Sequence, residues 1–150
     1  MEIKVFIECE AGSDQRPYFD EQTLERKGSF TVSRKYPFPY GFIHGTKSGD
    51  GDCLDCFVIT KRPLISESMV HAEIVGMMEQ FETKNGNTKM DHKILANIKG
   101  EDLELDEKMK EVLREFVLHV FDHRADKKVE VGSFYTKEVG EELVENLTLK

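Results

Sequence analysis

Around residue 106 the spacing of apolar side chains changes, and the change divides the chain into a strand-forming part and a largely helical part. Residues 1–7 set Ile3, Val5 and Ile7 against Glu2, Lys4 and Phe6, the period of two that marks a half-buried strand. Short strand candidates recur at 30–32, 41–44, 56–60, 70–78 and 93–98, separated by Gly, Pro, Asp and Asn. Such spacing predicts a small closed or nearly closed β-barrel. From Asp106 onward Met109, Val112, Leu113, Phe116, Val117, Val120 and Phe121 follow helical spacing instead, with Asp106 as N-cap and His123 and Arg124 near the negative end. A short strand at 128–131 precedes a last helix, which Thr136 can cap and which carries Val139, Leu143, Val144 and Leu147 on one side. Strands first and helices afterwards make an α+β pattern, with both helices packed on the barrel.

At 150 residues, with no repeat and no linker-like tract, the expectation is one domain spanning 1–150. A net charge of −8 argues against non-specific binding to nucleic acid or anionic lipid. No apolar run approaches the ~20 residues of a membrane span, and the start lacks the apolar core of a signal peptide. These features predict a soluble cytoplasmic protein with no membrane partner. Three cysteines, two of them spaced as Cys53-x-x-Cys56, do not form a disulfide framework, and a zinc site would need more ligands than Cys9 alone can add.

Chemistry concentrates in Asp50-Gly51-Asp52-Cys53-Leu54-Asp55. Carboxylates held together repel by roughly 4 kcal/mol per pair at ~4 Å and an effective dielectric near 20, so the cluster needs a cation or solvent. An EF-hand is excluded, because its sixth position requires Gly and Asp55 stands there. A solvated acidic turn before a strand is the plain alternative. Upstream, Tyr36-Pro37-Phe38-Pro39-Tyr40-Gly41-Phe42-Ile43 offers a stiffened approach; downstream, Asp91-His92-Lys93 sets a carboxylate and an ammonium at a strand end. Acids for a metal beside a lysine for phosphate point to metal-assisted phosphate chemistry.

In this order, Tyr-Pro-x-x-Tyr-Gly-x-Ile followed by Asp-Gly-Asp-x-x-Asp resembles the signature of the family I soluble inorganic pyrophosphatases. Val5-Phe6-Ile7-Glu8 is similar to the opening strand of that family, and Asp91-His92-Lys93 to its Asp-x-Lys element. The resemblance implies a small closed OB-like β-barrel with two C-terminal helices packed against it. It implies Asp50 and Asp55 as ligands of a metal pair, Asp52 as general base, Asp91 completing a metal site, and Lys93 and Tyr40 on the phosphates. Glu82 stands where the family has an aspartate, and the resemblance implies Glu8 as a further metal ligand. The loop 83–90 between Glu82 and Asp91 departs from the family wording. Arg16 is the substitute for an early lysine, Arg26 or Lys27 for an arginine, and His123-Arg124 for a late Tyr-Lys pair.

The implied activity is Mg²⁺-dependent hydrolysis of inorganic pyrophosphate to two phosphates, with several Mg²⁺ or Mn²⁺ ions per site and a homo-oligomeric state. Because the phosphate-facing cations are displaced, two other readings stay open. One is a pyrophosphatase-like protein that binds metal and phosphate with little or no turnover, and the other a phosphohydrolase acting on a different small phosphate.

Overall fold

The computed structural model describes residues 1–48 and 51–149. Its centre is a ring of five strands. β1 (Glu2–Cys9) pairs with β4 (Tyr40–Ile43), β4 with β5 (Asp55–Val58), β5 with β8 (Lys93–Ile98) and β8 with β6 (Met69–Lys84), while β6 returns to β1. All of these pairings are antiparallel except β5 with β8. The closed ring is the OB-like arrangement expected, and closure removes the exposed edges that an open sheet would present. The long β6 continues past the ring to pair with β7 (Asn87–Met90) and β9 (Lys127–Thr136), while β2 (Gln15–Phe19) and β3 (Arg26–Thr31) form a separate hairpin.

Two strands escaped the sequence pattern. β7 is exposed along its whole length, so no alternation reveals it, and β2 contains Pro17, which demotes a strand reading. The segment 83–90, read from the sequence as a loop, is a hairpin in which Asn85 (φ 51°) and Gly86 (φ 80°) form the turn. Positive φ at both positions suits the two-residue turn that Asn-Gly favours.

The ring strands are covered on both faces, which explains why β5 and β8 read as nearly continuous apolar runs. Cys56, Val58, Ile94 and Ala96 join Ile3, Val5 and Ile7 in one cluster, which Val144 of α2 (Lys137–Leu147) completes. On the other side Phe57, Ile59 and Leu95 pack with Leu113, Phe116 and Val117 of α1 (Glu107–His119). Phe6, expected on the polar side of β1, is buried against Phe19 and Phe42 because the β2–β3 hairpin covers that face. Asp106 caps α1 as the sequence indicates, its Oδ1 accepting from the Met109 N–H at 2.8 Å. Gly41 permits the tightest approach in the ring, since a Cβ there would lie 1.8 Å from the Phe6 carbonyl oxygen. Among the described residues no helix is long and apolar enough to cross a membrane.

Candidate active site

The parallel pairing of β5 with β8 sets Asp55 opposite Lys93 in register. Sheet alternation then turns both side chains to one face, and Lys93 Nζ lies 2.5 Å from Asp55 Oδ2 and 3.1 Å from Asp91 Oδ2. It also donates to the Tyr40 hydroxyl at 3.1 Å. The lysine side chain is only 6% exposed, so this ammonium is enclosed by its partners. Burial alone would lower its pKa, but Asp55, Tyr40 and Asp91 outweigh burial and hold it well above the ordinary lysine range. Burial pushes Asp55 up against the pull of Lys93. At Asp91 burial acts in the same sense, yet the Lys93 ammonium prevails and keeps the carboxyl below the usual range.

The backbone holds this group firmly. Asp91 N–H donates to the Gln80 carbonyl at 2.8 Å, and the Gln80 N–H donates to His92 Nδ1 at 3.1 Å, clamping the Asp-x-Lys element to β6. On the signature loop, the Ser48 N–H and hydroxyl both donate to the Asp52 carbonyl, at 2.7 and 2.9 Å. At the loop base Thr46 Oγ1 donates to the Ile43 carbonyl and accepts from the Leu54 N–H. Asp52 itself is exposed at the mouth, and Asp50 lies outside the described residues.

Together these elements wall a cleft of about 870 Å³. Glu8, Arg16, Tyr40, Asp52, Asp55, Glu82, Asp91 and Lys93, all singled out in the sequence, line it. Arg16 projects from β2 with its guanidinium 5.0 Å from the Tyr40 ring centroid and 5.6 Å from that of Phe30. Its Nε is buried and meets no acceptor among the described residues. Burial pushes Tyr36, which stacks on Tyr40, up to about 12 and Tyr40 well above its ordinary value, so both stay hydroxyl donors.

Two of the expected cations stand apart from the cleft wall. Arg26 opens β3 on the exposed side of the hairpin, and Lys27, the next residue, lines the cleft in its place, as strand alternation requires. Arg124 sits in the turn after α1 and binds Asp126 at 2.7 and 3.1 Å. The structure supplies a different cation: Lys127 Nζ lies 3.1 Å from Glu82 Oε1 and 3.9 Å from the Phe121 ring centroid. Lys127 reaches the cleft through the antiparallel pairing of β9 with β6, a tertiary contact for which the local sequence has no signal. Glu21 was also missed. Its half-buried carboxylate accepts the Cys53 N–H at 2.9 Å and faces the same cleft, and burial raises its pKa.

The cysteines do not form a competing centre. Cys9, Cys53 and Cys56 are free thiols, and burial pushes Cys9 up to about 12, Cys53 up to about 11 and Cys56 higher still, so none is poised as a thiolate.

Glu8 carries the acid with the clearest pH signature. Burial raises it from 4.5 to about 7, the charge of Arg16 offsetting only part of that. Between those values the folded chain keeps a proton that the unfolded chain releases, so stability is lost as pH rises through about 7. The full effect is roughly 3 kcal/mol. With metal chelated, Glu8→Gln is expected to match the wild type near pH 4.5 and to exceed it in urea unfolding at pH 8; parallel pH dependences in the two proteins would remove this assignment.

Hard oxygen donors from Glu8, Asp52, Asp55, Glu82 and Asp91 suit Mg²⁺ or Mn²⁺ better than zinc. Among the described residues no three His, Cys, Asp or Glu side chains converge closely enough to bind an ion as they stand. Lys93 occupies the space between two of the acids, which shows that this wall calls for positive charge.

Residues 5–149 match the family model described as inorganic pyrophosphatase. The inorganic pyrophosphatase of Nanoarchaeum equitans is 30% identical over 155 residues, covering 96% of this chain and 94% of that protein. That of Aquifex pyrophilus is 31% identical over 142 residues, covering 89% and 76%. Among solved structures, the inorganic pyrophosphatase of Coxiella burnetii aligns with a TM-score of 0.87 at 21% identity, covering 97% of this chain and 92% of that one. The fold, the ordered motif and the relatives agree, and the chain belongs to the inorganic pyrophosphatase family, whose members hydrolyse pyrophosphate.

Proposed function

We propose that this chain hydrolyses inorganic pyrophosphate to two phosphates with Mg²⁺ as cofactor. The observation that carries the proposal is the junction of Asp55, Asp91 and Tyr40 on the Lys93 ammonium, with Arg16 stacked on the same tyrosine. Asp50, Asp55 and Asp91, supported by Glu8 and Glu82, would hold the ions, several to a site. Bound there, Mg²⁺ neutralises phosphoryl oxygens and acidifies a water molecule.

Every other step belongs to the side chains. Asp52, exposed at the mouth, takes the proton from the attacking water. Lys93 exchanges carboxylate partners for phosphoryl oxygens, and the buried Arg16 Nε–H finds in phosphate the acceptor that the protein does not provide. The Tyr40 hydroxyl, which stays protonated, donates a hydrogen bond to the departing phosphate. Lys27 and Lys127 line the cleft where Arg26 and Arg124 do not, so the phosphate-facing side keeps its positive charge with altered residues.

The reading includes a homo-oligomer, as the family resemblance implies. It also places the protein in the cytoplasm, where three unpaired thiols are at home. Phosphate release from pyrophosphate, triphosphate and ATP, each with Mg²⁺ and with chelator, tests the function. Mg²⁺-dependent release from pyrophosphate above the other two is expected. Binding of pyrophosphate without release would leave a binding protein, and faster release from ATP would move the substrate to nucleotides.

A further inference from the structure

Gln80 lies two residues before Glu82 on β6, so the two side chains share a face of the strand. It is 3% exposed and lines the cleft with Glu82, Asp91 and Lys93. Its backbone is fully engaged, the N–H with His92 and the carbonyl with the Asp91 N–H. The side-chain Oε1 is different: it is buried, and no group among the described residues donates to it. Among the described residues, the other buried side-chain polar atom in this condition is Arg16 Nε, on the wall of the same cleft. Native proteins seldom keep a buried acceptor without a donor unless the group has a use.

The two atoms have opposite needs. Arg16 Nε–H requires an acceptor, and phosphoryl oxygens are acceptors. Gln80 Oε1 requires a donor, which ionised pyrophosphate does not have. The neighbouring ammonium groups are already engaged, Lys93 with Asp55, Tyr40 and Asp91, and Lys127 with Glu82. A hydrated divalent cation supplies the missing class of donor, because Mg²⁺ sheds water reluctantly and keeps several molecules whose O–H groups point outward.

We infer that Gln80 is a positioning residue for the cofactor, its Oε1 accepting from a water in the hydration shell of the cation that Asp91 and Glu82 attract. The inference rests on the Mg²⁺ reading of the cleft. A neutral acceptor orients that shell without adding another carboxylate to a wall that already carries Glu82, Asp91 and Asp55.

Gln80→Met keeps the length of the side chain and removes the acceptor, whereas Gln80→Glu keeps an acceptor. Calorimetric Mg²⁺ titration and melting with and without chelator separate the outcomes. In chelator Gln80→Met is expected to melt at or above the wild type, since an unmatched acceptor has gone. With Mg²⁺ it should bind about five-fold more weakly, the loss of one hydrogen bond, and gain less in Tm. Gln80→Glu should bind at least as tightly as the wild type. Equal Mg²⁺ affinity in Gln80→Met overturns the inference, as does an equal fall in Tm with and without Mg²⁺, which would assign Oε1 to an internal structural bond. A wild type that binds no Mg²⁺ would instead remove the metal reading itself.

Discussion

Lys93→Met is expected to unfold at markedly lower urea when metal is chelated, and to lose turnover even when Mg²⁺ is present. The side chain is 6% exposed and holds Asp55 and Asp91 at 2.5 and 3.1 Å, so its removal leaves two enclosed carboxylates facing each other. Removing one partner from a buried ion pair destabilises by about 3–5 kcal/mol. A divalent ion can restore the missing positive charge, so Mg²⁺ should recover most of the lost stability. It should not recover the rate, because an ammonium poised at the phosphoryl oxygens is gone; a fall of at least ~100-fold in kcat is expected. Urea midpoints unchanged in chelator would show that Lys93 is not the counter-ion of this wall. Wild-type kcat in the variant would separate it from the chemistry.

Asp52→Asn should have nearly the opposite profile. Asp52 is exposed, and Asn keeps its shape, so Tm should move little. As a general base the carboxylate contributes about 10²–10⁴-fold, and phosphate release from pyrophosphate should fall by that factor. Turnover equal to the wild type would remove the role. A large fall in Tm would show that the residue braces the signature loop instead.

The two substitutions also separate what was legible in the sequence. Asp52, Asp55, Tyr40 and Lys93 were readable because each belongs to a short motif with its own spacing, and β5–β8 pairing then brings the motifs together. Asp106 was readable as a cap because capping is local chemistry. Lys127 was not, nor was the choice of Lys27 over Arg26. One arrives by long-range pairing of β9 with β6, and the other depends on which face of an exposed hairpin strand each residue takes, for which its polar sequence has no apolar alternation. Val112 shows the same limit within α1: it fits the helical spacing, yet it is 41% exposed because Leu113, Phe116 and Val117 take the covered face. For β7 the signal existed in Asn85-Gly86, and an unusual motif spacing concealed an ordinary hairpin turn.

The single parallel pairing in the ring has a consequence for the order of events during folding. Asp55 and Lys93 stand 38 residues apart in the chain and meet only when β8 docks beside β5. Parallel neighbours cannot be joined by a tight turn, so their contact waits on closure of a long loop through β6. Local elements such as α1 and the β6–β7 hairpin can form earlier without creating the cleft. Catalytic competence in a refolding chain is therefore a late event that reports on ring closure rather than on secondary structure.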